Sequence, residues 1–218
     1  MRQIMRCCAV ALLAAVVSAC TGTAHVRPVS VDTGQGFPKI PGTYAAHVQT
    51  GGWHLEADPG TYMCSMWSFD TDVNGPYTAA MRDALTGNLE TVRFVGAPLQ
   101  AADLQGQGID AQIVVYQGNA NSQFGIQSHF FTSSANGTVS LEAIIAILTA
   151  DGLSFQKTVQ GVGHASDGVF LCDDAADAVG EAARAAIRET VEDAILYIRE
   201  GVRSTRVSPR SDEAAPTS

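Results

Sequence analysis

Thr138-Val-Ser-Leu-Glu-Ala-Ile-Ile-Ala-Ile-Leu-Thr149 is the stretch that decides the fold. Val139, Leu141, Ala143, Ile145 and Ile147 share one face at period two, which predicts a strand with a buried side. Its register is pinned, because a slip of one residue would turn the whole apolar set to water. After it comes Asp151-Gly152, a hairpin signal, and then Leu153 to Val162 as the returning strand. Before it, Asn136-Gly137 is a second hairpin signal that follows Phe124 to Thr132. The centre of the chain thus reads as an antiparallel meander, entered through a buried strand at Ala111 to Tyr116.

Upstream, a polar stretch with Gly106 and Gly108 is preceded by a β-branched and aromatic run, Thr91 to Val95. Asn74-Gly75-Pro76 reads as a cap with an early proline, and Tyr77, Ala80, Met81, Ala84, Leu85 and Leu89 recur at helical spacing up to Gly87-Asn88. Tyr62 to Phe69 is expected as a strand, with Tyr62, Cys64, Met66 and Ser68 on one face and Met63, Trp67 and Phe69 on the other. Tyr44 to Gln49 and Trp53 to Ala57 are short strands around the turn Thr50-Gly51-Gly52. Downstream, Ala176, Val179, Ala183, Ile187, Val191, Ala194 and Ile198 form one helical stripe, and Glu181, Arg184, Arg188 and Glu192 face water. This helix is expected from a capping Asp173 or Asp174 to Gly201, with Asp177 at its positive end and Arg199 and Arg203 at its negative end. The order implies an α+β domain, a mainly antiparallel sheet with two helices packed on one face.

The first residues belong to no such domain. Arg2 and Arg6 precede the uncharged run Cys7 to Val17, about half the length needed to span a bilayer, so residues 1–19 read as an export signal. Val17-Ser18-Ala19-Cys20 resembles the bacterial lipobox. The resemblance implies a diacylglyceryl group and an N-acyl group on Cys20, with no other cofactor. It also implies an envelope location, and Thr21, where an aspartate would favour the inner membrane, points to the periplasmic face of the outer membrane. Residues 20–42, with Pro28, Pro38 and Pro41, read as a lipidated N-terminus and flexible tether. Residues 43–203 form the single domain, and residues 204–218 a disordered tail.

Without the signal, two of 13 basic side chains are gone, leaving 11 against 22 acidic ones, a formal −11. That balance repels a phosphate backbone and excludes nucleic acid as an expected partner. Cys7 and Cys8 leave with the signal and Cys20 carries lipid, so Cys64 and Cys172 remain. In an oxidising compartment a disulfide is expected; it closes a loop of about 108 residues, worth about 4–5 kcal/mol in the chain-entropy model. A thiolate nucleophile or a metal ligand would need a His-rich spacing that neither cysteine has nearby.

The element order and the lipobox together are similar to α+β envelope lipoproteins of the YajG type, the lipopolysaccharide-assembly lipoprotein and the amino-terminal domain of the Tol–Pal β-propeller protein. The similarity covers about Tyr62 to Arg199, carries no binding residue across, and would tie Cys64 and Cys172 together at one edge.

Candidate chemistry is sparse. His54, Glu56 and Asp58 alternate with Trp53, Leu55 and Ala57, which suits either a small metal site or the solvated side of a half-buried strand. Gly161-Val162-Gly163-His164-Ala165-Ser166 touches a dinucleotide fingerprint but ends a meander strand. His129 and His164 stand alone, and Ser65 and Ser68 have no histidine in sequence to activate them. Tyr62, Trp67, Phe69 and Met81 form either core or an apolar groove for a partner or an acyl chain. The expectation is a non-enzymatic binding or envelope-assembly lipoprotein with a protein partner. Lipid or glycolipid handling in a groove between helix and sheet is the alternative, and an envelope hydrolase or metal protein ranks last.

Overall fold

The computed structural model describes residues 20–31, 37–59, 67–128, 133–169 and 174–207. The expected signal peptide, Tyr62, Cys64, Ser65, His129, Cys172, Asp173 and residues 208–218 lie outside them. The chain order is β1 (Cys20–Ala24), β2 (Ile40–Val48), β3 (Leu55–Pro59), β4 (Trp67–Thr71), α1 (Asn74–Asn88), β5 (Leu89–Phe94), α2 (Ala101–Gly106), β6 (Ala111–Ser128), β7 (Ser133–Thr149), β8 (Ser154–Val169) and α3 (Ala175–Val207).

The fold is α+β, and its sheets are mixed rather than mainly antiparallel. β6, β7 and β8 form the expected antiparallel meander, and β3 runs antiparallel to β4. Four pairings are parallel: β1 with β4, β2 with β5, β2 with β6, and β3 with β6. The turn at Thr50-Gly51-Gly52 exists, with Gly51 at φ +80°, but it does not fold β2 back on β3. Both strands run parallel to β6 along one edge, β2 beside Ala111–Val115 and β3 beside Gln123–Phe124. They act as one interrupted strand.

β6 is a single strand where two were expected, and a bulge explains the difference. Between Gln117 and Ala120 it sets two residues, Gly118 and Asn119, against Glu142 alone of β7, so its inward face switches from Ile113 and Val115 to Phe124 and Ile126. A period-two pattern that changes phase reads as two strands. The same pairing overturns the turn expected at Asn136-Gly137: Gly137 lies within β7, opposite Phe124 and Ala165. A Cβ there would sit 2.7 Å from the carbonyl oxygen of Ala178 in α3. The glycine serves a close helix approach, and the hairpin signal at Asp151-Gly152 is the one realised, with Gly152 at φ +88°.

That approach runs along the sheet. Cβ atoms at Gly161 and Gly163 of β8 would overlap the carbonyl oxygens of Ala186 and Ala182. Ala178, Ala182, Ala183, Ala186 and Ala194 complete a small-residue stripe of buried side chains, so α3 lies flush on β7 and β8. Gly201, expected to end this helix, is also a packing residue, since a Cβ would fall 2.7 Å from Ile147 Cδ1. The helix continues to Val207 and takes in residues assigned to the tail.

α1 packs beside α3 on this face, burying Tyr77, Ala80, Met81, Ala84 and Leu85. A third helix, α2, covers the other face, where Leu104 and Ile109 bury Ala45, so the helices do not share one face. Residues expected as tether also contribute: Cys20–Ala24 is a strand, and Ala24 and Val29 are buried.

Candidate functional site

A cleft of about 460 Å³ opens where β6 begins, β7 ends and α3 finishes. Tyr44, Ile109, Ala111 and Val202, all buried, make its apolar floor. Gln105, Asp110 and Asp151 line the rim. Gly108, at φ +65°, turns the chain from α2 into the cleft wall. Asp110 N–H donates to Thr43 O (2.9 Å), and its Oδ2 accepts from Thr43 N–H (2.8 Å). Gln105 Nε2 donates to Ala150 O (2.7 Å), and Thr149 Oγ1 donates to Asp151 Oδ1. The rim is thereby held rigid by its own polar groups. Among the described residues no His, Cys or Lys lines it, and its polar groups are amide, hydroxyl and carboxylate.

A second polar cluster sits where the β2–β3 connection crosses the β6 bulge. Gln117 Oε1 accepts from Gly52 N–H, and its Nε2 donates to Asn74 Oδ1 (2.9 Å). Asn74 Nδ2 donates to Trp53 O (2.7 Å), and Trp53 Nε1 donates to Gly118 O (3.0 Å). Asn74, expected as a helix cap, instead fastens the start of α1 to this connection; Val73 holds the cap position. The cluster is structural: its side chains satisfy the backbone that the bulge and the jog leave unpaired.

Of the metal candidates, His54 and Glu56 can be placed, and the side chain of Asp58 lies outside the described residues. Leu55 and Ala57 are buried and His54 and Glu56 exposed, as the alternation requires. His54 Nδ1 lies 3.8 Å from Asp70 Oδ1, with both side chains more than half exposed. Glu56 is paired across the strands with Asp70. Among the described residues no group of three His, Cys, Asp or Glu is placed to hold a metal ion. The groove candidates are divided: Phe69 and Met81 are core, with Phe69 against Phe124 at 5.1 Å between centroids, and Trp67 is half-buried. Where α3 meets β7 and β8, the glycines bring the helix backbone close to the sheet.

No family model matches the chain, and no curated protein matches it. Three solved structures are similar at low scores. A Xanthomonas campestris protein of family model DUF330 has 13% identity and a TM-score of 0.43, over 85% of this chain and 98% of that one. A PelC dodecamer from Paraburkholderia phytofirmans has 6% identity and a TM-score of 0.29, over 78% and 93%. A homolog of a putative neuraminyllactose-binding hemagglutinin from Helicobacter pylori has 8% identity and a TM-score of 0.34, over 80% and 92%. Likeness at this level decides nothing about chemistry.

The remaining sequence candidates fall into place singly. His164 Nδ1 lies 3.1 Å from Thr138 Oγ1 on the open sheet surface, and Ser68 is half-buried in β4. The glycine fingerprint is the helix-packing segment of β8. Cys20 opens β1, opposite Trp67 of β4. No helix among the described residues is long and apolar enough to cross a membrane. Sequence reading missed the cleft, whose one signal was the Gly106–Gly108 stretch, and missed the Gln117 cluster, which only the bulge creates.

Proposed function

We propose that this chain is an envelope lipoprotein, held through acylated Cys20 on the periplasmic face of the outer membrane, whose domain is a non-enzymatic binding or assembly module for an envelope protein. The observation that supports it most is the position of Cys20. The residue expected to carry lipid is the first of a strand built into the sheet, and that strand starts at the end of the domain away from the cleft. Gly180 of α3 packs on His25 just after β1, and Val202 lines the cleft. Between them the helix rises about 33 Å at about 1.5 Å per residue. A lipid at Cys20 thus leaves the cleft facing away from the bilayer, open to a partner.

Intact-mass measurement and membrane fractionation of the wild type and of Cys20→Ala test the anchor. The wild type should carry acyl mass and sediment with membranes, and the variant should do neither. An unmodified, soluble wild type would refute it. Crosslinking to a defined envelope protein from Gln105 at the cleft rim would support the module reading, and measurable turnover at the cleft would overturn it.

A further inference from the structure

Cys20 and Trp67 are partners in the parallel β1–β4 ladder, so the backbones of the two residues lie about 5 Å apart. β1 lies close on β4: at Gly22, which is paired with Phe69, a Cβ would come within 2.9 Å of the ring. Trp67 stacks at a tilt on the buried Phe69, 6.3 Å between centroids, and is only half-buried, which leaves part of its indole on the outside of an aromatic cluster. The chain's other tryptophan, Trp53, is 4% exposed and has its Nε1 bonded to Gly118 O. An indole held rigidly beside a lipid-bearing residue sits at headgroup level, where its apolar body and polar N–H are both accommodated.

We propose that the Cys20 end of the domain rests on the bilayer and that Trp67 sits in the lipid–water interface, fixing the long axis of α3 outward from the membrane. The partner of this surface is the lipid headgroup region itself. The inference rests on the lipoprotein reading and adds to it an orientation that a flexible tether would not impose.

The test uses the full lipidated chain in phosphatidylcholine vesicles whose acyl chains are brominated at shallow positions, with the intact mass of the same sample recorded. Trp67 emission should be quenched and Trp53 emission retained. In Trp67→Phe the quenchable component should be lost, and in Trp53→Phe all remaining emission should be quenchable, so either variant answers if the other fails to fold. Acyl mass on Cys20 with no quenching of Trp67 would overturn the orientation alone. Absence of acyl mass would overturn both the orientation and the anchor.

Discussion

Arg199 of α3 donates from Nη1 to Asn88 Oδ1 at the end of α1, a 2.8 Å bond between two buried side chains 111 positions apart in sequence. Asn88 Nδ2 in turn donates to Ala84 O (2.8 Å), inside α1. Arg199 Nη2 reaches Pro38 O at 3.4 Å, and the guanidinium lies 5.0 Å from the Phe37 centroid. One cation therefore ties together the two helices and the segment that leads into β2. Burial, and then the charge of Arg203, lower the Arg199 pKa, a sign that its charge is held against desolvation.

Asn88→Ala is expected to destabilise the fold by about 1.5–3 kcal/mol, because it strips a charged donor of a buried acceptor. Urea denaturation should show this as a lower midpoint at unchanged slope. Adding Arg199→Met should recover part of the loss, since an apolar side chain no longer needs the acceptor. Additive losses would show that the bond contributes nothing.

Tyr77 supplies a pH-dependent test. Among the described residues its buried hydroxyl finds no hydrogen-bond partner, and burial pushes its pKa above the ordinary phenol value. The unfolded chain titrates near pH 10 while the folded residue stays neutral, so the stability is fully present below about pH 10 and falls as pH rises further, by up to about 1.4 kcal/mol per unit. Tyr77→Phe should flatten that decline and, at neutral pH, be as stable as wild type or better by up to about 1 kcal/mol. An unchanged alkaline slope would count against the burial of this group.

The glycines separate packing from backbone freedom. Gly163→Ala should cost about 3 kcal/mol or more, because its Cβ would overlap the α3 backbone at Ala182 and neither element can yield without separating helix from sheet. Gly125→Ala, in β6 with nothing within 4 Å of its Cβ, should be neutral or stabilising by about 0.4–1 kcal/mol. Thermal melts of the pair decide it, and equal effects would mean that α3 does not approach β8 this closely.

Periodicity made β7, α1 and the body of α3 legible, since each buries one regular face. It failed where a residue's reason lies in another element. Gly137 looks like a turn residue until Ala178 is placed above it, and Gly201 looks like a cap until Ile147 is. β6 lost its unity to one extra residue, and α2 was too short, with Leu104 alone buried, to show a stripe. The parallel pairings of β2 and β3 with β6 leave no local signature, because each strand alternates identically in either direction. The cleft is assembled from segments around Tyr44, Asp110, Asp151 and Val202, and no spacing within any one of them predicts it.

Asn74 joins Trp53 O to Gln117 Nε2. Asn74→Ala is expected to cost about 1–3 kcal/mol, since both partners are part-buried. Asn74→Ala with Gln117→Ala should cost less than the sum of the single changes. A red-shifted Trp53 emission in Asn74→Ala would report loosening of the connection, and an unshifted spectrum with unchanged stability would remove the cluster from the account.

Gly180 distinguishes a docked N-terminal segment from a slack one by the sign of a single substitution. It lies inside α3, where alanine is favoured over glycine by about 0.8–1 kcal/mol. A Cβ at this position would stand 2.5 Å from the carbonyl oxygen of His25, directly after β1. If β1 is held on the fold, Gly180→Ala must push it away or bend the helix, and the variant is less stable than wild type despite its better propensity. If residues 20–31 were a free tether, the oxygen would move aside and the variant would be more stable. In a chain that begins at Phe37 the conflict is removed, so the same substitution should there raise the urea midpoint. A stabilising effect in both chains would mean that β1 contributes nothing to the domain and that Cys20 is not held beside Trp67.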